Sequence, residues 1–266
     1  MVTCSLIGGL GNYMFQVSAA YSLSIDNNSS FVFDINDVFS PHKNIGTYTD
    51  NIFRNVPFSE NIINTFTYKE KTFHYSKIPY NPWLWQKESG NFLGLKLFGY
   101  FQSYKYFSHN RDEVISLFSI DDVSMDFLNT TYGKLLSGDT CSIHVRRGDY
   151  VNLPNHHPVC ELNYYQKSIN LFDKGVSFLI FSDDIQWCKE NFKGDNFTFI
   201  EGNKDYLDLW LMSICNHNII ANSTFSWWGA WLNQNPDKIV ISPNTWFGPS
   251  ITHNTTDLTP KKWIKL

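Results

Sequence analysis

Short apolar segments alternate with longer amphipathic segments through the second half of the chain. The pattern predicts strands at 141–145, 178–181, 197–200, 218–221 and 238–241, with helices at 162–172, 185–192, 205–216 and 224–233 between them. Repeated strand–helix pairs with short apolar strands are typical of a parallel sheet that has helices on both faces. The predicted fold class is therefore α/β.

The first half of the chain has a weaker pattern. Residues 2–7 read as a strand, 8–12 as a glycine-rich turn, 13–24 as a helix and 31–34 as a second strand, and no elements are predicted for 40–91. Met14 stands where a dinucleotide fingerprint would have its third glycine, so that signal is incomplete. Residues 137–139, Ser-Gly-Asp, read as a linker, which predicts domains at 1–138 and 139–266.

Polar side chains follow three of the predicted strands in the second half. They are Arg146, Arg147, Ser182, Asp183, Asp184, Asn222, Ser223 and Thr224. The carboxyl ends of parallel strands meet at one edge of a sheet, and open α/β sheets bind their ligands there. The sequence therefore predicts a ligand site at this edge.

Arg146 and Arg147 predict that the ligand is an anion. A guanidinium grips phosphate or carboxylate in a flat two-point fork, and strand alternation places His144 on the same face as Arg146. The alternative is a solvated pair of surface arginines, which is the commoner fate of such a pair.

Four further features each allow two interpretations. Ser223 and Thr224 begin a predicted helix, so they either cap it or hold a phosphate, while Phe225 belongs either to the core or to the mouth of a base or sugar site. Asp208 lies in an apolar helix and needs a partner, either a guanine edge or a nearby Arg or Lys. Asp183 and Asp184 either contact the same ligand or belong to a turn.

Composition limits the partners. A net charge of −4 argues against general nucleic-acid binding, whereas 17% aromatic residues suit the stacking of sugars or bases. Five scattered cysteines without a C-x-x-C pair, and no apolar run of spanning length, predict a cytoplasmic protein with reduced thiols and no transmembrane segment, compatible with peripheral membrane association. The sequence has no D-x-D motif or convincing ligand cluster, so we expect neither a metal nor another cofactor.

Five motifs, in order along nearly the whole chain, resemble the α-1,2-fucosyltransferases. They are G-G-L-G-N at 8–12, G-Y-F-Q at 99–102, H-V-R-R-G-D-Y at 144–150, F-S-D-D at 181–184 and I-I-A-N-S-T-F-S-W-W-G-A-W-L at 219–232. The resemblance implies an inverting, metal-independent enzyme of the GT-B type, with two Rossmann-like halves facing across a cleft. It would move L-fucose from GDP-β-L-fucose, a co-substrate, to the 2-hydroxyl of a galactose-containing glycan.

The resemblance also implies roles for residues. Arg146 would grip the pyrophosphate as GDP leaves, with His144 and Arg147 shaping the nucleotide pocket in the C-terminal domain. Asp208 would accept from guanine, and Asp183, Ser223, Thr224 and Phe225 would contact the donor. Asn12 would contact GDP-fucose from the N-terminal, acceptor-side domain. The chain departs from the family pattern at Tyr13, where glutamine is usual.

The general base stays open at this stage. Asp149 lies in the arginine motif, where it is either the base or the structural partner of the arginines, and Asp34 and a donor phosphate oxygen are alternatives. Two other functions also stay open. One is a GDP-sugar transferase with another linkage or acceptor, and the other is a non-catalytic carbohydrate-binding protein.

Overall fold

The structure is a computed structural model that describes residues 1–39, 45–62, 65–82 and 94–266. It divides into two compact units. The first comprises Met1–Ser119 with His253–Leu258, and the second comprises Ile120–Thr252 with Thr259–Leu266. In the described residues, no helix combines the length and the apolar character needed to cross a membrane.

The second unit is built on a six-stranded sheet in which every pairing is parallel. Its strands are β8 (Thr140–Val145), β9 (Ser177–Ser182), β10 (Phe197–Phe199), β11 (His217–Ile219), β12 (Val240–Ser242) and β13 (Ile264–Lys265). Their order across the sheet is β10-β9-β8-β11-β12-β13. This is the order of the Rossmann fold, so the α/β prediction is confirmed for this unit.

Helices connect these strands. They are α4 (Asp122–Leu136), which precedes the sheet, α5 (Leu162–Ile169), α6 (Ile185–Asn191), α7 (Asp205–Ile214) and α8 (Thr224–Leu232). The core consists of apolar side chains from the strands and the facing helices, and β8 is buried along its whole length. Each predicted strand and helix of 139–266 is present, with ends shifted by a few residues, because buried parallel strands and amphipathic helices give strong periodic signals.

The first unit contains only parallel pairings among its described strands, in smaller groups. β1 (Val2–Cys4), β7 (Gly94–Phe98) and β6 (Thr65–Lys69) form a sheet in the order β1-β7-β6, while β2 (Leu6–Ile7) pairs with β4 (Val38–Phe39) and β3 (Phe33–Asp34) with β5 (Phe58–Ser59). Its helices are α1 (Leu10–Asp26), α2 (Gly46–Thr49) and α3 (Arg111–Leu117).

The prediction of one strand at 2–7 is wrong in detail. Ser5 separates β1 from β2, because the backbone changes partner there: the Ser5 N–H donates to the Leu97 carbonyl at 3.0 Å and the Leu6 N–H to the Asp37 carbonyl at 3.0 Å. The elements β5 and β6 lie within 40–91, where none was predicted, because their exposed and half-buried residues give no clear alternation. Part of that range, residues 40–44, 63–64 and 83–91, lies outside the described residues.

The predicted domain boundary at 138/139 is corrected to 119/120. Helix α4 belongs to the second unit, because it packs against α7 and Tyr132 exchanges hydrogen bonds with Asn203 at 2.9 and 3.2 Å. The segment His253–Leu258 returns to the first unit, where Asp257 pairs with Lys105 at 2.7 Å. The Ser-Gly-Asp linker only joins α4 to β8.

A buried amide network fixes the sheet at its centre. Asn218, on β11, has no exposed surface and donates to the Ser142 hydroxyl at 2.7 Å and to the Met212 carbonyl at 2.8 Å. Its side-chain Oδ1 accepts from Asn233 Nδ2 at 2.9 Å. These contacts connect β11 to β8 and to the end of α7.

Replacing Asn218 with alanine should destabilise the second unit, because the Ser142 hydroxyl and the Met212 carbonyl would lose the amide in a dry core. A buried group left unsatisfied costs about 1–3 kcal/mol, so we expect a loss on the order of 3 kcal/mol in urea unfolding followed by circular dichroism. Asn170→Ala, at an exposed helix end, is the control and should change stability by less than about 0.5 kcal/mol. Equal midpoints for the two variants would contradict the role of the network.

Candidate active site

The chain connections reverse direction between β8 and β11. From β8 the chain moves to β9 and β10 on one side, and it then returns to place β11 on the other side of β8. Such a reversal leaves a crevice beyond the carboxyl ends of the two central strands. Arg146 follows β8 and Ser223 follows β11, so the structure brings these two predicted site segments to the same crevice.

Two carboxylates hold the guanidinium of Arg146. Its Nη1 lies 2.9 Å from Asp183 Oδ2, its Nη2 pairs with Asp149 Oδ1, and its Cζ lies 5.2 Å from the ring centre of Tyr150. The Arg146 side chain remains about one-third exposed. The group is therefore oriented by protein contacts and still accessible to a ligand.

Arg147 points to different partners. Its Nε donates to Asp184 Oδ2 at 3.0 Å, and its guanidinium lies over the ring of Trp187 at 4.2 Å. Its backbone N–H donates to Asp183 Oδ1 at 2.8 Å. The structure thus gives Arg147 a role in fixing the loop, while its predicted part in the nucleotide pocket stays a prediction.

Asp183 and Asp184 have structural tasks. The oxygens of Asp183 accept from Arg146 and from the Arg147 amide, and Oδ1 of Asp184 accepts from Trp187 N at 3.2 Å as the N-cap of α6. The turn interpretation therefore describes Asp184. A direct contact between Asp183 and the donor stays a prediction.

These half-exposed ion pairs act mainly through orientation. Solvent-exposed pairs contribute about 0.2–1 kcal/mol to stability, which is too little to hold a fold together. The same contacts restrict the rotamers of Arg146, and a preorganised guanidinium loses less entropy when it binds an anion. The main effect of these ion pairs is therefore to hold the Arg146 guanidinium in a fixed orientation at the crevice.

His144 is a neutral group beside the start of α8. Its ring is 5% exposed and lies 5.5 Å from the ring of Phe225, and burial, aided by the charge of Arg146, lowers its pKa to about 3. Its Nδ1 has no hydrogen-bond partner among the described residues. A buried polar atom of this kind is available to a ligand.

The first turn of α8 adds a second anion-binding feature. Ser223 is its N-cap in extended conformation, and its side chain makes no capping hydrogen bond. Within the described part of the chain, the first-turn amides therefore keep their free N–H groups. Helix N-termini favour anions through these groups and the helix dipole. Thr224 and Phe225 are half-buried here, which leaves both side chains a route to a bound molecule.

Asp208 lies in the first turn of α7, and none of the described residues gives it a cationic partner. Its Oδ1 accepts from Asn203 Nδ2 at 2.9 Å, so the alternative of a nearby Arg or Lys is wrong within the described residues. Burial raises the pKa of Asp208 to about 6, partly offset by the Asn203 hydrogen bond. The carboxylate keeps a second oxygen for which the described residues supply no donor.

Asn12 lies in the first unit, in the first turn of α1. Its Oδ1 accepts from Gln102 Nε2 at 2.9 Å, and its Nδ2 occupies the space where a Cβ on Gly8 would stand, 2.2 Å away. Gly8 has φ +94°, which also favours glycine. The motifs at 8–12 and 99–102 therefore meet in space. Tyr13 is buried against Tyr48 and lies in the core.

The two carboxylate candidates for a general base differ in their contacts. Asp34 is 7% exposed, and its oxygens accept from the backbone amides of Asn36 and Ile62 at 2.9 and 2.7 Å. These contacts organise a turn, and a catalytic role for Asp34 stays a prediction. Asp149 is half-exposed and pairs with Arg146, as its structural interpretation requires, and a catalytic role for it stays a prediction.

Sequence reasoning missed several supporting residues. Tyr150 packs under Arg146 and donates to the Asn222 carbonyl at 3.3 Å, Trp187 stacks on Arg147, and Asn203 holds Asp208. Tyr150 is the last residue of the motif at 144–150, and its place beside the arginines could have indicated that it contacts them. Trp187 and Asn203 had none, because only the folded chain brings them to their partners.

Comparison with known proteins places the chain in a family. A model of Glycosyl transferase family 11 matches residues 1–266. The chain is a family 11 glycosyltransferase. It is 32% identical to an alpha-1,2-colitosyltransferase of Escherichia coli over 296 aligned positions, covering all of this chain and 99% of the relative. It is 27% identical to galactoside alpha-(1,2)-fucosyltransferase 2 of Hylobates lar, covering 98% of this chain and 81% of the relative.

Solved structures confirm the fold. The NodZ alpha-1,6-fucosyltransferase, co-crystallised with GDP, superposes with a TM-score of 0.55 at 12% identity, covering 86% of this chain and 91% of NodZ. At this identity the likeness concerns the fold. This family 11 chain therefore shares its α/β architecture with fucosyltransferases that form other linkages.

Gly148→Ala tests the contact that orients Arg146. A Cβ at this position would lie 2.5 Å from Asp183 Oδ2, so the carboxylate has to move away from the guanidinium. We expect about tenfold weaker binding of GDP in isothermal titration calorimetry, corresponding to about 1.4 kcal/mol, with a nearly unchanged melting temperature. Gly133→Ala, with open space around its Cβ, is the control. Retention of wild-type affinity by Gly148→Ala would contradict this role of the contact.

Proposed function

We propose that this enzyme transfers L-fucose from GDP-β-L-fucose to the 2-hydroxyl of a galactoside, forming an α-1,2 linkage with inversion. The observation that carries the proposal is the preorganised Arg146 at the chain-reversal crevice of a family 11 glycosyltransferase. The α-1,2 linkage follows the names of both relatives, and the galactoside acceptor follows the mammalian one. In the proposed GT-B arrangement, the second unit binds the donor and the first presents the acceptor.

The donor would bind along the edge of the second sheet. Arg146 and the first-turn amides of α8 would receive the diphosphate, with Ser223 and Thr224 as hydroxyl donors, since both groups favour negative charge. His144 and Phe225 would line the same pocket. The free oxygen of Asp208 would accept from the two adjacent N–H groups of guanine.

The reaction would break the bond between fucose C1 and the diphosphate oxygen. GDP leaves with the electron pair, the acceptor oxygen attacks C1 from the opposite face, and its proton passes to a base. Arg146 would stabilise the negative charge that grows on the diphosphate, and it would do so by electrostatic attraction alone. We propose that no metal takes part, so that a chelator leaves turnover unchanged.

Asp149 is one of two proposed acceptors for the proton of the acceptor hydroxyl. Its Oδ1 pairs with the Arg146 guanidinium, so this carboxylate would have to receive the proton while it contacts an arginine. A transition state with a late proton transfer needs no stronger base, and a donor phosphate oxygen is the alternative acceptor. Asp149→Asn distinguishes the two, because turnover within a few-fold of wild type would exclude Asp149 as the base.

A second donor is favoured by a specific observation. The chain is 32% identical over its full length to a colitosyltransferase, and colitose is fucose without its 3-hydroxyl. GDP-fucose and GDP-colitose share the GDP group and would make the same diphosphate and guanine contacts, so GDP-colitose is the alternative donor. Competition between the two donors, with linkage analysis of the product, identifies the one preferred.

Arg146→Lys should lower turnover with GDP-fucose and lactose by about 10²–10³, corresponding to about 2.7–4 kcal/mol, because a lysine cannot keep the two-point contact. Mass spectrometry of the fucosylated product measures the rate, with and without a chelator. Lys189→Ala, which removes a surface pair with Glu201, is the control and should keep full activity. Full activity of Arg146→Lys would refute the proposed mechanism.

The pKa of Asp208 predicts how donor binding depends on pH. Burial raises this pKa to about 6, so the carboxylate is mostly ionised at pH 7 and mostly protonated at pH 5. Only the ionised form accepts both guanine N–H groups, so the affinity for GDP-fucose should fall about tenfold between pH 7 and pH 5. GDP-fucose is the suitable ligand because its diphosphate has no ionisation in that range, unlike GDP.

Asp208→Asn is the matched variant for this measurement. It should bind GDP-fucose more weakly at pH 7 and lose the dependence between pH 7 and pH 5. His144 does not interfere, because its pKa of about 3 keeps it neutral throughout. An identical pH dependence in Asp208→Asn would show that another group is responsible.

A further inference from the structure

The first unit contains a constrained loop, Gly99–Gln102, directly after β7. Glu70 accepts from the amides of both Tyr100 and Phe101, at 2.7 and 3.0 Å. The buried side chain of Gln16 donates to the Gly99 carbonyl at 3.1 Å. The loop is therefore fixed from two sides.

The backbone of this loop is strained. Phe101 has φ +50°, which is unusual for a bulky residue, and Gly99 has φ +154°. A Cβ on Gly99 would also lie 2.4 Å from Glu70 Cβ. Backbone strain of this kind concentrates at functional sites. Glu70 compensates for it through its two hydrogen bonds, although burial raises the pKa of this carboxyl.

The constrained loop delivers Gln102 to Asn12. Gln102 is 7% exposed, and its Nε2 donates to Asn12 Oδ1 at 2.9 Å. Among the described residues, no protein group pairs with Gln102 Oε1 or with Asn12 Nδ2. The pair thus presents an acceptor and a donor next to each other, both neutral.

The chemistry of this pair matches a hydroxyl better than a phosphate. A hydroxyl both donates and accepts one hydrogen bond, whereas a phosphate diester only accepts, and the Gln102 oxygen would repel it. The pair follows the carboxyl ends of β2 and β7, the edge at which parallel sheets bind ligands. Tyr100, 41% exposed in the same loop, offers apolar surface of the kind on which sugar rings stack.

We propose that Gln102 and Asn12 form a subsite for a ring hydroxyl of the galactoside acceptor and that Glu70 is the positioning residue that holds it. The inference rests on the proposed function for the identity of the acceptor. Gln102 determines acceptor binding and leaves donor binding to the second unit. Glu70 acts only through the loop.

The test separates acceptor binding from turnover. Saturation-transfer difference NMR measures binding of methyl β-D-galactopyranoside and lactose in the presence of GDP, and calorimetry measures binding of GDP alone. Gln102→Ala and Gln102→Asn, which retracts the amide by one methylene, should each weaken galactoside binding about tenfold. The affinity for GDP should stay within about twofold of wild type.

Controls address folding and position. Gln186→Ala, an exposed glutamine that pairs with Glu190, should leave both affinities unchanged. Glu70→Gln keeps the size and one acceptor oxygen, so it should weaken galactoside binding less than Glu70→Ala, while KM for the acceptor rises more than kcat falls. Equal melting temperatures of Gln102→Asn and wild type exclude an effect on folding.

Each outcome of these measurements either supports or overturns the subsite. Unchanged galactoside binding in both Gln102 variants, weaker GDP binding in them, or no galactoside binding by the wild type overturns the subsite. Failure of the proposed function shows differently, as galactoside binding by the wild type without an α-1,2-fucosylated product from GDP-fucose. In that case the loss of binding in Gln102→Asn still supports the subsite.

Discussion

The contact between Asp183 and the loop after β8 is the constraint on which the candidate active site depends. One carboxylate, delivered by the neighbouring strand β9, accepts from the Arg147 amide and from the Arg146 guanidinium. The first contact fixes the path of the main chain and the second fixes the side chain. Gly148 lets the carboxylate approach, because a Cβ there would collide with it. The site thus depends on two adjacent strands in register.

This constraint separates the tasks of two adjacent arginines. Arg146 stays at the crevice between two carboxylates and above Tyr150, whereas Arg147 is held against Trp187 and Asp184. A protein with net charge −4 can therefore present a cation at one place without a basic face. The carboxylates of Asp149 and Asp183 pair with Arg146, so a diphosphate has to compete with them for the guanidinium.

The two units use different chemistry at their sheet edges. In the second unit the groups available to a ligand are a guanidinium, helix amides, a neutral histidine and the carboxylate of Asp208. In the first unit the corresponding loops present the amides of Asn12 and Gln102. Charged groups suit a nucleoside diphosphate, and neutral amides suit hydroxyls. This division agrees with a transferase that binds a charged donor and a neutral sugar acceptor.

The sequence by itself determined the α/β class, most elements of 139–266 and the segments that form the candidate site, because buried parallel strands and the polar residues after them leave a local pattern. The exposed two-residue strand β13 left none and was not predicted. It also contained the family motifs, and the family assignment confirmed that resemblance. Only the tertiary structure decided which arginine faces the crevice, that α4 belongs to the second unit, that Asp34 serves a turn and that Asn203 is the partner of Asp208. The assignment of α4 depends on contacts between residues far apart in the chain, and the other outcomes depend on side-chain directions, which a sequence pattern does not reveal. Local periodicity carries no information about either.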